Sequence, residues 1–286
     1  MYKSVQISDF SYTEYISDRY IREYKEKMHN AYLEPLKAYL LDGSNEIFSA
    51  DKIQEKLFPT IKDNDIFLSH AHKNEDEVIK LAIKLERYGL KVFVDSCVWG
   101  NVFDLLESID NAYCKTGKNL YSYKKSSHTA ANVYMILNTA LHKMIDQSEL
   151  FIFLGSKTSV TVRDTIDGSK RESVRSPWIY SELMFANQVR RSPKKRLQFL
   201  VNESTSDKIS MDNALARQVQ FDYDKPDLDY SFSQYDFKRW LDTISNSYIE
   251  YSNTLFMQNK NNDQIIQAGE ILDSFYKEII NIGKPR

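Results

Sequence analysis

The segment 65–97 constrains the fold most strongly, because it predicts two strands with one helix between them. DIFLSHA (65–71) and KVFVDSC (91–97) are short apolar runs, typical of strands that are buried on both faces. Between them, NEDEVIKLAIKLERYG (74–89) carries apolar residues at helical spacing, with acidic residues in its first turn and a glycine at its end. A strand, a helix and a strand within about thirty residues form a βαβ unit, in which the two strands are parallel.

The rest of the chain repeats this alternation and therefore predicts an α/β protein. Further strands are predicted at 149–155, 196–201 and 219–224, and helices at 130–148 and 176–191. Elements in this order build an open, mainly parallel sheet of five strands, flanked by helices on its faces.

The predicted elements divide the chain into three regions. Residues 1–61 are expected to form an N-terminal helical extension, residues 62–230 the α/β domain with an insertion around 111–130, and residues 231–286 C-terminal helices that pack on that domain. A loop is expected at 97–104 after the second strand, with a short helix at 102–110, and a polar loop is expected at 156–173 after the third strand.

Composition excludes several classes of function. The formal net charge is -2 and the pI is about 6.2, whereas DNA-binding proteins usually carry an excess of basic residues, so no nucleic-acid partner is expected. No apolar run is long enough to span a bilayer, and the first twenty residues lack the pattern of a signal peptide. With two cysteines and no disulfide framework, a cytoplasmic protein is expected.

Polar residues follow the predicted strands at the ends where parallel sheets bind ligands. Ser69 and His70 end the first strand, and Asp95 and Ser96 end the second. In open α/β sheets ligands bind outside the carboxyl ends of the strands, so these four side chains are expected to converge on one site. The chain contains eight glycines and neither GxGxxG nor GxxxxGK[ST], so a nucleotide would not be held through those loops.

Two segments of the chain together resemble the Toll/interleukin receptor (TIR) domain family. FLSHAHKNEDEVIKLAIKLERYGLKVFVDS resembles the opening strand, helix and second strand of these domains. ELFIFLG (149–155) followed by SPWIYSEL (176–183) is similar to the third strand and the W-x-x-x-E helix of the family. The resemblance covers roughly residues 62–225 and implies a flavodoxin-like TIR fold. It departs from the family at 97–104 and in the long insertion.

The resemblance implies an enzyme of the bacterial branch of the family, whose active members cleave NAD+. It identifies Glu182 as the catalytic glutamate and Trp178 as the aromatic residue of the same motif. Ser69, His70, Asp95, Ser96 and Trp99 are then expected to bind the substrate. The family also implies a role in antiphage defence, self-association through TIR surfaces and a separate effector protein that reads the product. NAD+ is the substrate, and no cofactor is expected.

The residue types fit this chemistry. Breaking the nicotinamide–ribose bond passes through an oxocarbenium-like ribose, whose charge a carboxylate stabilises, and an aromatic ring can stack on a base. Ser176 and Pro177 predict the start of a helix, which places Trp178 and Glu182 on one face at positions i and i+4. A glutamate that interrupts an apolar stripe then lines a pocket, where desolvation raises its pKa.

Simpler roles are open for each of these residues. Glu182 could point to water at the border of an amphipathic helix, Asp95 could cap a turn, and the strand-end residues could satisfy their own backbone. Trp99 in an exposed loop is typical of a contact residue. His70 and His72 alternate on a strand and so share a face, but their spacing with Cys97 or Cys114 fits no zinc pattern, and no metal is expected.

Two other functions compete with NAD+ cleavage. Many TIR domains are non-enzymatic assembly modules, and the 97–104 loop with Trp99 favours that alternative. The second alternative is an enzyme similar to the nucleoside deoxyribosyltransferases. These enzymes also have a flavodoxin-like fold and use a glutamate to cleave a ribosyl bond.

Overall fold

The computed structural model describes residues 1–30, 49–57, 64–118, 120–164, 170–192, 222–258, 268–282 and 284–285. Its strands are β1 Lys3–Ser8, β2 Ile66–His70, β3 Val92–Val94, β4 Lys115–Gly117, β5 Leu120–Tyr121, β6 Leu150–Leu154, β7 Val160–Asp164, β8 Lys170–Val174, β9 Tyr223–Asp224, β10 Tyr230–Ser233 and β11 Lys284–Pro285. Its helices are α1 Asp18–Asn30, α2 Ala50–Leu57, α3 Glu75–Arg87, α4 Ser96–Ile109, α5 Tyr123–Gln147, α6 Pro177–Gln188, α7 Gln234–Gln258 and α8 Ala268–Asn281.

The central sheet has the strand order β11-β10-β1-β6-β2-β3. The five strands from β10 to β3 pair in parallel, and β11 is antiparallel at the edge. β2, α3 and β3 form the predicted βαβ unit. The protein is therefore an α/β protein whose central sheet of five parallel strands is flanked by helices, an architecture compatible with a flavodoxin-like fold.

Helices cover both faces of the sheet and enclose two apolar cores. Ile66 and Leu68 of β2 face the core built with α1, α3, α7 and α8, whereas Phe67 faces the core built with α4, α5 and α6. Phe67 stacks on Phe151 of β6 with ring centroids 5.6 Å apart. Because side chains alternate across a strand, apolar residues at every position of β2 predict burial on both faces, as observed.

β1 differs from the sequence expectation, since residues 3–8 lie inside the sheet and are not part of a helical extension. Ser4, Val5, Gln6 and Ile7 are all buried. The polar members are paired: Asp229 donates its backbone N–H to Ser4 Oγ at 3.0 Å, and Lys225 Nζ donates to Gln6 Oε1 at 2.7 Å. The alternation of polar and apolar residues in β1 is typical of a strand with one face in water or of a coil, so the sequence does not indicate a central strand. Ser4 and Gln6 can be buried because residues far along the chain form hydrogen bonds with them.

The five strands of the parallel sheet are not the five predicted ones. The strands predicted at 65–71, 91–97 and 149–155 are present as β2, β3 and β6. The strand predicted at 196–201 lies outside the described residues. Tyr223 and Asp224 pair in a separate antiparallel sheet, β7-β8-β9, so the strand predicted at 219–224 does not extend the central sheet.

The two segments predicted as loops contain regular structure. Residues 97–104 belong to α4, which begins at Ser96 directly after Asp95. β7 (160–164) and β8 (170–174) pair antiparallel across most of the segment 156–173, with Val160 opposite Val174 at the end of the ladder. Alternating polar and β-branched residues explain this hairpin, because they suit a strand with one solvated face.

The expected insertion is also ordered. A turn of π-helix at Asp110–Cys114 leads into the β4–β5 hairpin, and α5 begins at Tyr123. Ser122 caps this helix by accepting a hydrogen bond from the backbone of Lys125. Among the described residues, none of the helices combines the length and the apolar composition that crossing a bilayer requires.

Candidate functional site

Four polar side chains meet at the carboxyl edge of β2 and β3. Ser69 and His70 are the last residues of β2, and Asp95 follows β3 directly. Glu182 reaches the same place from the middle of α6. All four residues are buried, so their interactions occur out of contact with bulk water.

Glu182 carries the more deeply buried of the two carboxyl groups in this cluster. It is 1% exposed, and Ser69 Oγ donates a hydrogen bond to its Oε2 at 2.5 Å. Burial, and then the negative charge of the neighbouring Asp95, raise the pKa of Glu182 well above its ordinary value, although the hydrogen bond from Ser69 opposes the shift. Glu182 and Asp95 therefore form a buried carboxyl pair in which the protonated form of Glu182 is favoured.

His70 lies against the other side of Asp95. Its Nδ1 is 2.8 Å from Asp95 Oδ1, and the two side chains are 0% and 6% exposed. The two atoms are close enough for an ion pair but lie off the line of a good hydrogen bond. Within the described part of the chain, both ring nitrogens of His70, Asp95 Oδ1 and Glu182 Oε1 make no aligned hydrogen bond. Buried polar atoms are nearly always paired in native proteins, so a cluster of such atoms at one place marks a candidate functional site.

A cleft of about 1070 Å³ opens beside this cluster. His70, Asp95, Ser96 and Trp178 line it, whereas Ser69 and Glu182 lie behind them. Pockets for drug-sized ligands measure about 300–1,000 Å³, so the cleft has room for a dinucleotide. A ligand in the cleft would therefore meet His70 and Asp95 before it reached Glu182.

The rim of the cleft carries charges of both signs. Its cationic side chains come from α1 and from loops that follow the strands: Lys25, Lys73, Lys157 and Arg175. Glu75 is held on the rim by Lys25 Nζ at 3.0 Å and by Ser96 Oγ at 3.2 Å. Phe103, which is 58% exposed, adds an aromatic side chain to this lining.

Helix α6 is positioned by the residues that the sequence singled out. Ser176 caps it by accepting a hydrogen bond from Ile179 N at 3.3 Å, and Pro177 is its first residue. Trp178 packs edge-to-face on Tyr134 of α5, with ring centroids 5.5 Å apart. One turn later on the same face, Glu182 points into the cluster. The prediction that these two residues share a face is therefore confirmed.

A second set of contacts fixes α6 to α5 about one turn beyond Glu182. Phe185 stacks on His142 with ring centroids 4.3 Å apart and an angle of 7° between the rings. His142 Nε2 lies 3.0 Å from Ser181 Oγ, which donates to Asn138 Oδ1 at 2.7 Å. Burial lowers the pKa of His142, because an apolar environment disfavours its charged form. These contacts hold the backbone that carries Glu182.

Six of the seven candidate residues of the sequence analysis lie together at this site: Ser69, His70, Asp95, Ser96, Trp178 and Glu182. Trp99 lies in the first turn of α4 and not in an open loop, and its side chain is outside what the structure describes.

Sequence reasoning missed the rim residues Lys25 and Glu75. The position of Glu75 just beyond β2 is a usable signal, since residues after a parallel strand face this edge. No pattern in the sequence links Lys25 to the site, because α1 reaches it only through tertiary packing.

The cleft offers no obvious metal centre. Within the described ranges, no group of three or more His, Cys, Asp or Glu side chains is placed to hold a metal ion. Comparisons with protein-family models, with curated proteins and with solved structures find no match to this chain. The chemistry of the cleft therefore has to be inferred from its own residues.

Proposed function

We propose that the protein cleaves the nicotinamide–ribose bond of NAD+, releasing nicotinamide and an ADP-ribose or cyclic ADP-ribose product. The observation that carries the proposal is the buried Glu182–Asp95 carboxyl pair beside the cleft, with Ser69 donating to Glu182 at 2.5 Å. A carboxylic acid with a strongly raised pKa beside a second carboxylate in a cleft is typical of an active site. The resemblance to TIR domains of the bacterial branch supports the same reaction.

The pair suits a reaction that develops positive charge on a sugar. When the bond to nicotinamide breaks, the ring leaves as a neutral molecule and the ribose gains oxocarbenium character. One proton shared by two carboxyl groups leaves one negative charge, buried where few water molecules screen it. A fixed charge in such a place stabilises a cationic transition state more strongly than the same charge in water.

The lining of the cleft suits the rest of a dinucleotide. Lys73, Lys157 and Arg175 bring positive charge to the rim, where a pyrophosphate would lie. Trp178 is half-buried and fixed by Tyr134, and Phe103 is exposed nearby, so both offer ring faces to bases. The volume of about 1070 Å³ accommodates both halves of the substrate.

The biological setting of this proposal follows from the resemblance alone. The released nucleotide would serve as a signal in bacterial antiphage defence, a separate effector protein would read it, and self-association through TIR surfaces would regulate the enzyme. Co-expression with neighbouring genes, with and without phage infection, tests this part: infection should raise the ADP-ribose product only in cells that carry the intact chain.

Conversion of Glu182 to glutamine tests the reaction itself. The glutamine side chain would keep the shape and the acceptor for Ser69 but could not take up the negative charge of the carboxyl pair when positive charge develops on the ribose, so we expect nicotinamide release to fall on the order of 10²–10³-fold. The exposed Glu107 on α4 provides a matched control, Glu107→Gln. Chromatography of nicotinamide and ADP-ribose species measures turnover, and circular dichroism compares the folds.

Two results would contradict the proposal. If wild type and Glu182→Gln cleaved NAD+ at the same rate, the carboxyl pair would not be needed for the reaction. Release of a free base from 2′-deoxynucleosides, without NAD+ cleavage, would instead identify a deoxyribosyltransferase-like enzyme.

A further inference from the structure

Two loops beside the cleft are joined by the side chain of one asparagine. Asn74 lies just after β2, and its Oδ1 accepts hydrogen bonds from Ser156 Oγ at 2.8 Å and from Thr158 Oγ1 at 3.0 Å. Ser156 and Thr158 belong to the loop that follows β6, the strand that pairs with β2. The asparagine therefore ties together the ends of two neighbouring strands. Lys73 precedes it on one loop, and Lys157 lies between the two hydroxyl residues on the other.

Hydrogen bonds within the loop after β6 fix its backbone as well. Ser159 Oγ accepts a hydrogen bond from Ser156 N at 2.8 Å and donates one to Ser156 O at 3.1 Å. The β7–β8 ladder brings a further residue to the same place. Because Val160 lies opposite Val174, Arg175 follows β8 where Ser159 precedes β7. Three separate segments of the chain are thus fixed beside one another at the edge of the cleft.

These segments carry positive charge that the described residues leave unpaired. The cationic side chains line the cleft and form no hydrogen bond or ion pair within the described ranges: Lys73, Lys157 and Arg175. Glu75 of the lining is paired with Lys25, and Asp95 contacts a histidine. Glu26 of α1 is then the acidic side chain of the lining that is left to balance three cations.

An anion would relieve the repulsion within this cluster. Like charges held near one another raise the energy of a protein, and a negative group between them lowers it. Phosphate oxygens are suitable partners, because lysine and arginine side chains donate charge-assisted hydrogen bonds to them. Arginine can bind such a group through two parallel hydrogen bonds, whereas lysine acts as a point charge.

We infer that Lys73, Lys157 and Arg175 form a phosphate subsite that makes the enzyme select dinucleotides over nicotinamide riboside, with Asn74 as the positioning residue that holds the two lysines together. The inference rests on the proposed function, since it names the class of substrate that the same cleft takes. Nicotinamide riboside has the same scissile bond as NAD+ but no phosphate. The chemistry at the ribose is therefore shared, and the two substrates differ in what they offer to the cations.

The experiment measures kcat/KM of the full-length protein for nicotinamide release from NAD+ and from nicotinamide riboside. In Lys73→Gln and in Lys157→Gln we expect the ratio of the two values to fall on the order of 10-fold, the size of one hydrogen bond to a charged group. The loss should come from NAD+ alone. Asn74→Ala should lower the ratio less, because both lysines remain. Lys238→Gln, on the exposed surface of α7, removes the same charge outside the cleft and should leave the ratio unchanged.

Both lysines are exposed, so their replacement should not weaken the fold, and the ratio does not depend on how much protein is folded. Calorimetry with inorganic pyrophosphate tests the subsite without turnover. The wild type and Lys238→Gln should bind pyrophosphate, and Lys73→Gln and Lys157→Gln should bind it on the order of 10-fold more weakly.

Three results would overturn the inference: a wild type that cleaves the riboside as efficiently as NAD+, lysine variants with the wild-type ratio, or equal pyrophosphate binding by all variants. If the wild type released nicotinamide from neither substrate but lost pyrophosphate binding in the lysine variants, the proposed function would fail while the phosphate subsite would be supported.

Discussion

The two ends of β2 differ in the kind of buried polar group that they hold: neutral amide and hydroxyl groups at the amino end, and ionisable groups at the carboxyl end. At the amino end, Asn64 Nδ2 donates to Ile66 O at 3.0 Å and to Ser148 Oγ at 2.8 Å, and Ser148 Oγ donates to Met144 O at 2.7 Å. At the carboxyl end, His70, Asp95 and Glu182 crowd together with four polar atoms that lack an aligned partner among the described residues.

The difference shows which end is built for stability. Neutral groups in aligned hydrogen bonds tie the start of β2 to the end of α5 and contribute about 0.5–1.5 kcal/mol each. Ionisable groups without aligned partners cost stability, and such a cost persists in a native protein mainly where function requires it. Hydrogen bonds thus stabilise the amino end of β2, whereas the carboxyl end carries the residues of the candidate site.

The largest expected effect concerns the pH dependence of stability at the carboxyl end. Glu182 binds its proton more tightly in the folded chain than in the unfolded chain, so its contribution is fully present below the unfolded pKa of about 4.3 and is lost as pH rises toward the folded pKa. Glutamine does not titrate. Relative to wild type, Glu182→Gln should therefore gain stability as the pH rises above about 5, by up to about 1.4 kcal/mol for each pH unit, until Glu182 is ionised in the folded protein as well.

Urea unfolding at each pH measures this difference, with Glu107→Gln as the control that should follow the wild type. If the difference in unfolding free energy between wild type and Glu182→Gln stayed constant with pH, the pKa of Glu182 would not be raised in the folded protein. The carboxyl end of β2 would then not differ from the amino end in its pH dependence.

A smaller effect is expected at the amino end. Ser148→Ala removes the acceptor of Asn64 and the donor to Met144 O, so the free energy of unfolding should fall by about 1–3 kcal/mol at every pH. NAD+ turnover per folded molecule should not change, because the site lies at the other end of the sheet. A loss of turnover larger than the loss of folded protein would show that the two ends are coupled.

The smallest effect is expected on the rim of the cleft. Lys25 Nζ pairs with Glu75 at 3.0 Å and Asp76 at 2.8 Å, but its side chain is 39% exposed. Exposed ion pairs contribute about 0.2–1 kcal/mol, so Lys25→Met should lower stability by less than about 1 kcal/mol, and the difference should vanish in about 1 M salt. Thermal unfolding at low and high salt checks this, and a loss that survives high salt would argue for packing of the lysine stem.

The site was more predictable from the sequence than the sheet that carries it. Ser69, His70, Asp95 and Glu182 follow from local signals, namely two apolar strands with polar ends and a Ser-Pro helix start. Those signals act over a few residues, and the order of elements then brings the strand ends together.

Features that depend on distant partners could not be predicted. β1 is a central strand whose Ser4 and Gln6 are satisfied by residues more than two hundred positions later, and its pattern alone does not reveal such pairing. The first half of α4 was expected to be a loop, at CVWGNVFD (97–104), and a short helix was expected at 102–110. Packing of Leu105 and Ile109 into the core stabilises this helix against its weak local propensity.

β1 also lies between two strands that follow it by a long stretch of chain. Residues 3–7 pair with residues 150–154, and residues 5–8 pair with residues 230–233. Contacts between positions so far apart have a high loop-closure entropy and slow the folding of a domain. Because translation runs from the amino end, β1 is synthesised long before its neighbouring strands β6 and β10. The apolar side chains of β1 therefore stay accessible to chaperones until residues 150–154 and 230–233 have been synthesised and the sheet can close around them.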